Sequence, residues 1–159
     1  YALSENSNFV ICSGAKSILD LSKTNELLET LGITRIGYQT NYMPGFWYEE
    51  TENKVDNKFD EIHEISSFLK LNENMGNKKS ILIFNKVPLE KALNKNDVEK
   101  WINNATIKAD RNNISGKELT PFLIKEINEQ SKNETLNANV SLIINNANLA
   151  GKIAKNFYS

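Results

Sequence analysis

The sequence predicts an α/β fold built on a mainly parallel sheet, and three observations carry that prediction. Short apolar runs at residues 8–12, 33–38 and 80–84 read as buried strands. Between them lie segments whose apolar residues repeat at three and four, the spacing of a helix face. The joints are short, and strand, helix, strand in that order is the grammar of parallel pairing.

Asn8-Phe9-Val10-Ile11-Cys12 stops at Ser13-Gly14, where a strand meets a turn. Leu27, Leu28 and Leu31 mark a helix over residues 24–31, with Gly32 in the place of a C-cap glycine. Residues 33–38 form the second strand. Residues 49–58 have no apolar period and predict a solvated loop or a flexible lid. Ile62, Ile65, Phe68 and Leu69 then define a helix behind an Asp60 cap, and Ser80-Ile81-Leu82-Ile83-Phe84 is the clearest strand of the chain.

Beyond Phe84 the pattern is helical. Asn96 followed by Glu99 reads as a capping box ahead of Val98, Trp101, Ile102, Ala105 and Ala109. Thr120-Pro121 supplies a cap and a first-turn proline before Phe122, Leu123 and Ile127, and a last helix runs over residues 136–157. There is no internal repeat and no domain boundary. Three strands are few for this much helix and leave an open edge and an uncovered face, so another subunit or an upstream stretch of polypeptide is expected to complete the sheet.

Composition excludes several classes. The chain has 159 residues, 40% hydrophobic and 25% charged, with a net charge of -1. Its mean hydropathy is -0.47. A membrane protein, a coiled coil and a collagen-like chain do not fit these values. Nor is there the basic footprint that nucleic-acid binding needs. The single cysteine, Cys12, has no intramolecular partner, which favours a reducing, cytoplasmic compartment. No charged-then-apolar leader follows Tyr1. Seventeen lysines against two arginines, with repeated Asn pairs, fit a coding bias that dilutes any argument from a lone Lys or Asn.

Lys16 lies two residues past Gly14, beyond the carboxyl end of the first strand, where open α/β sheets place their ligands. A partly desolvated lysine there can act as an amine nucleophile toward an aldehyde-like carbon. On composition alone, the same lysine reads as a solvated surface charge. Asn139 and Asn146 are seven apart in the last helix, on nearly one face with the apolar position Ile143. Their amides can hydrogen-bond sugar hydroxyls or simply satisfy core neighbours. His63 is the only histidine, so neither a His-based triad nor a histidine metal cluster fits. Cys12 reads as packing, Gly14 alone is no phosphate loop, and Phe46, Trp47 and Tyr48 serve either to stack a base or to fill a core.

Five segments in order carry a family likeness: Cys12-Ser13-Gly14-Ala15-Lys16-Ser17-Ile18-Leu19-Asp20; Leu28-Glu29-Thr30-Leu31-Gly32; Gly37-Tyr38-Gln39-Thr40; Gly116-Lys117-Glu118-Leu119-Thr120-Pro121-Phe122-Leu123; and Leu136-Asn137-Ala138-Asn139 leading to Asn145-Asn146-Ala147. Together they resemble the pseudouridine-5'-phosphate glycosidases, or indigoidine synthase A family, over roughly residues 9–154. The resemblance is to the C-terminal half of the family's single domain, a layered α/β/α fold whose sheet the N-terminal half completes. It implies that the half preceding Tyr1 brings a catalytic glutamate, a second lysine and the aspartate that binds manganese (Mn2+), and that the whole assembles as a homotrimer. Departures are Asn85-Lys86 where the family has Asn-Pro, Asn148 where it has Arg, and no Ser-Gly-Phe stretch after Phe46.

The resemblance implies a reaction as well: reversible cleavage of pseudouridine 5'-phosphate to uracil and ribose 5-phosphate. A carbon-carbon glycosidic bond has no heteroatom to protonate, so the ordinary two-carboxylate route fails and a covalent one is needed. By family match Lys16 is the nucleophile that forms a Schiff base, Asn139 binds substrate, and Asn146 lines the same pocket. The contrasting expectation is a catalytically inactive homologue that binds a sugar phosphate or serves in assembly.

Overall fold

A computed structural model describes all 159 residues. In chain order the elements are α1 (Ala2–Glu5), β1 (Phe9–Cys12), α2 (Leu21–Thr30), β2 (Thr34–Tyr38), β3 (Asn57–Phe59), α3 (Ile62–Asn74), β4 (Ile81–Phe84), α4 (Lys95–Arg111), α5 (Leu119–Gln130) and α6 (Glu134–Phe157). The four strands form one wholly parallel sheet in the order β1-β4-β2-β3. The α/β class with a parallel sheet is thus as the sequence predicts.

Strand alternation divides the core by face. Ile81 and Ile83 of β4 and Ile36 of β2 point to one side, where Ile65 and Leu69 of α3 and Leu149 and Ile153 of α6 cover them. Leu82 and Phe84 point to the other, against Ile33, Met43 and the partly buried Leu21 and Leu28 of α2. β4 is buried at every position, as its apolar sequence requires of a central parallel strand. A third cluster lies off the carboxyl ends of the strands, where Trp47 and Tyr48 pack with Val98 and Ala105 of α4, Leu123 and Ile127 of α5 and Ala138 of α6.

The fourth strand corrects the three-strand expectation. Residues 49–58 are not a free lid: Tyr42 bridges Lys54, the Met43 N–H donates to the Asn53 carbonyl at 2.8 Å, and the segment ends in β3 beside β2. Asn57-Lys58-Phe59 carries no apolar period because it is an exposed edge. It is held instead by Asp56, which accepts from the Arg35 backbone N–H at 2.8 Å and pairs with the Arg35 guanidinium at 2.5 Å.

Helix starts shift by one to three residues, α2 beginning at Leu21 rather than at residue 24. α3 is capped at Glu61, whose N–H donates to Glu64 at 3.0 Å, rather than at Asp60. α4 begins behind Asn94, whose side chain accepts from the Asn96 N–H, so Asn96 lies inside the helix. A 3-10 turn over Gly116–Glu118 lets α5 begin at Leu119, before Thr120-Pro121.

Candidate functional site

The site is built where β1 and β4 end side by side. Cys12 and Phe84 are register partners, so Ser13 and Asn85 leave the sheet together. α6 reaches down on both: Asn85 donates its amide to Asn146 Oδ1 at 3.0 Å, and Asn146 Nδ2 donates to Ser13 Oγ at 3.1 Å. Asn145 donates to the Lys86 carbonyl at 3.1 Å. Ser13 and Asn85 are buried. Asn146 therefore satisfies two groups that would otherwise lie unpaired beneath α6.

Gly14 then turns the chain with φ of 87°, a left-handed conformation that costs glycine little. A Cβ there would stand 2.0 Å from the Pro44 carbonyl oxygen. The loop after β2 thus presses against the loop after β1, and the contact is fastened by Phe46 N–H donating to the Ser13 carbonyl at 3.0 Å and by Ser17 Oγ donating to the Gly45 carbonyl. Ile18 packs on the Trp47 and Tyr48 cluster. Lys16 rides on this braced turn with an exposed side chain, so these residues do not themselves desolvate its amine.

Asn139 sits two turns before Asn146 on α6, and its Oδ1 accepts the Trp47 indole N–H at 2.7 Å. It borders a 460 Å³ cavity between α5 and α6, lined also by Trp47, Pro121, Ile124 and Leu136. Ile143 departs from the expected stripe. Asn139 and Asn146 turn inward to partners, whereas Ile143 turns outward and is 63% exposed. Phe46, Trp47 and Tyr48 serve the core rather than a base, with Trp47 and Tyr48 buried. Burial, reinforced by the charge of Glu99, pushes the Tyr48 phenol up, while the Ser17 hydroxyl opposes the shift.

Charge at this rim comes from a cluster that the sequence motifs do not single out. Lys86 lies 3.4 Å from both Glu49 and Glu50. Glu50 also accepts from Thr40 Oγ1 at 2.9 Å. Lys86 and the two glutamates lie far apart in the chain, so no local spacing announces their meeting. No three His, Cys, Asp or Glu side chains gather as a metal-binding group, and His63 is exposed on α3. The residues present do not make a donor set for manganese.

No helix is long and apolar enough to cross a membrane. A family model described as indigoidine synthase A like protein matches residues 1–156. A protein of Kosmotoga olearia named pseudouridine-5'-phosphate glycosidase is 43% identical over 152 residues, 96% of this chain and 53% of its own. A protein of the same name from Staphylococcus aureus is 41% identical over 152 residues, 96% of this chain and 50% of its own. Among solved structures, the prealnumycin C-glycosynthase AlnA in complex with ribulose 5-phosphate superposes with a TM-score of 0.91 at 26% identity, covering 98% of this chain and 51% of that one. An indigoidine synthase A-like protein of Thermotoga maritima gives a TM-score of 0.85 at 32% identity, covering 96% and 50%. The chain spans about half the length of the relatives it matches. On the family match across nearly all of its length, the chain belongs to the indigoidine synthase A like family.

Proposed function

We propose that this chain is the nucleophile-bearing half of a pseudouridine-5'-phosphate glycosidase. The observation that supports it most is the 43% identity to a protein of that name over 96% of the chain. The braced Ser13-Gly14-Ala15-Lys16 turn lies at the carboxyl ends of parallel strands, where α/β sheets bind their ligands.

In this reading the Lys16 amine forms a bond to C1' of the sugar as the C1'–O4' bond breaks and O4' takes a proton, opening the ring. The nitrogen lone pair then forms the C=N bond of an iminium, while the electron pair of the C1'–C5 bond stays with uracil, whose C5 takes a proton. Water adds to the iminium carbon, releasing ribose 5-phosphate and restoring the amine. Asn139 hydrogen-bonds substrate through its NH2, its oxygen being held by Trp47. Asn146 is assigned to the same pocket and, in this chain, also fixes the ends of β1 and β4.

The acid that opens the ring and the manganese ligand belong, in this reading, to the half of the fold that these residues do not span, and the assembled enzyme is a homotrimer. No step above is routed through the metal. Uracil and ribose 5-phosphate incubated with the whole polypeptide and manganese should yield pseudouridine 5'-phosphate, detected by chromatography. Sugar-phosphate binding without product would instead identify an inactive homologue.

A further inference from the structure

Lys16 owes its place to the two residues after it. Its own side chain is exposed, so its amine is aimed by a backbone turn in which the Leu19 N–H donates to the Lys16 carbonyl at 2.9 Å. Ser17 donates its hydroxyl to the Gly45 carbonyl in the loop after β2, and Ile18 packs on the cluster that contains Trp47 and Tyr48. Both tethers end at Tyr48 or in its loop. Gly45 has no room for a side chain, because a Cβ there would overlap Cε2 and Cζ of the Tyr48 ring. The Gly45 N–H donates to the Tyr48 carbonyl at 3.1 Å, so the ring and the backbone of Tyr48 both hold the residue that receives Ser17.

The phenol hydroxyl reaches the same place. Tyr48 is 7% exposed, and its hydroxyl is hydrogen-bonded with that of Ser17. Ser17 has one proton and gives it to Gly45, so the phenol O–H donates to Ser17 Oγ, and a chain runs from phenol to hydroxyl to carbonyl. Burial and the nearby charge of Glu99 favour the protonated phenol that this chain requires. A phenylalanine would fill the same core volume without it. The other flank of Tyr48 belongs to α4: its ring packs in one cluster with Val98 and Ala105, and Lys95 Nζ stands 6.0 Å from its centroid. The Leu93 N–H, just ahead of α4, donates to the Trp47 carbonyl at 2.8 Å. Tyr48 therefore joins the Lys16 turn to a helix far along the chain.

We propose that Tyr48 is a positioning residue for the Lys16 amine: its hydroxyl holds Ser17, Ser17 and Gly45 fix the turn, and the turn aims the lysine at the sugar carbon. Tyr48 does not touch the reacting atoms; it acts through Ser17. The catalytic consequence rests on reading Lys16 as the nucleophile of the glycosidase, whereas the mechanical coupling of Tyr48 to the turn does not. Without the phenol, the Ser17 hydroxyl loses its donor and the turn samples other orientations. A nucleophile that is misaimed loses rate rather than substrate affinity, because alignment is required in the transition state and not for binding.

The test compares Tyr48→Phe, Ser17→Ala and the double variant in the whole polypeptide by two readouts: hydrogen exchange of the peptide spanning residues 13–19, and kcat and KM for pseudouridine 5'-phosphate. Each single variant should speed exchange in that peptide about 10-fold. Each should also lower kcat about 10-fold while KM stays within about twofold of the wild type. The double variant should be no worse than Ser17→Ala, because the two groups act in one chain. A merely structural tyrosine would instead loosen α4 as much as the turn and leave the losses independent. The proposal is overturned if Tyr48→Phe leaves exchange in the turn unchanged, if it speeds exchange equally throughout α4, if KM rises while kcat holds, or if the losses multiply in the double variant. A wild-type protein that does not turn over pseudouridine 5'-phosphate removes the glycosidase reading, and the exchange of the turn in the three variants then decides the coupling by itself.

Discussion

Trp47 donates its indole N–H to Oδ1 of Asn139 across 2.7 Å, and this contact ties the loop after β2 to α6. The two residues are ninety-two positions apart, and the bond settles how the Asn139 amide is turned. Its oxygen faces the core and its NH2 is left for the neighbouring cavity. Replacing Asn139 by Ala leaves a buried indole N–H without an acceptor. We expect a loss of about 1–3 kcal/mol in urea unfolding, together with weaker substrate binding. Asn139→Asp keeps the acceptor and should recover most of the stability but not the binding.

Asn146 makes a contrasting case, because both ends of its amide are engaged within the chain. Asn146→Ala strips partners from Ser13 and Asn85 and should cost about 1–3 kcal/mol. If Asn146 also contacts substrate, KM will rise further than it does in Ser13→Ala, which loosens the same network from its other end. Equal KM values in the two variants would restrict Asn146 to a structural role.

Gly14→Ala should be the most damaging small substitution near the site. It adds a left-handed alanine and drives a Cβ into the Pro44 carbonyl. We expect more than about 2 kcal/mol of destabilisation. Lys16→Ala should leave the Tm unchanged, because the side chain is exposed and its removal makes no cavity. A matched loss of Tm in both variants would show that the turn is not braced as described.

Cys12 sets an alkaline limit on stability. Burial pushes its thiol above the ordinary value of 9.0, and the Gly14 backbone only partly offsets this. Above that value the unfolded chain releases the thiol proton while the folded chain retains it. The unfolded state then binds fewer protons, and stability falls as pH rises from about 9 toward the folded value. Cys12→Ala should flatten this decline in urea-unfolding curves from pH 8 to 11. The wild-type thiol should also react with iodoacetamide far more slowly in the folded than in the unfolded protein.

The parallel sheet was legible because β1, β2 and β4 bury apolar side chains on both faces, which writes their positions as unbroken runs. β3 was not, since Asn57-Lys58-Phe59 contributes backbone pairing with little burial, and its anchor is an ion pair between Arg35 and Asp56 twenty-one residues apart. Buried Arg35 also binds Asn25 and Glu29 on α2. Burial alone would lower its pKa, but Asp56 and Glu29 reverse that and hold it above the ordinary value. Nothing in the local pattern of Arg35 announces this role. The same holds on α6: periodicity placed Asn139, Asn146 and Ile143 on one stripe, yet the helix has two apolar faces, and spacing cannot tell which of them meets this chain's own sheet.

Sodium borohydride added during turnover of pseudouridine 5'-phosphate by the whole polypeptide, followed by peptide mass mapping, reads the covalent step itself. The account predicts a reduced ribose 5-phosphate adduct on the peptide containing Lys16, and neither adduct nor activity in Lys16→Ala or Lys16→Arg, since a guanidinium does not give up its proton. An adduct confined to another lysine, or turnover retained by Lys16→Arg, would contradict it.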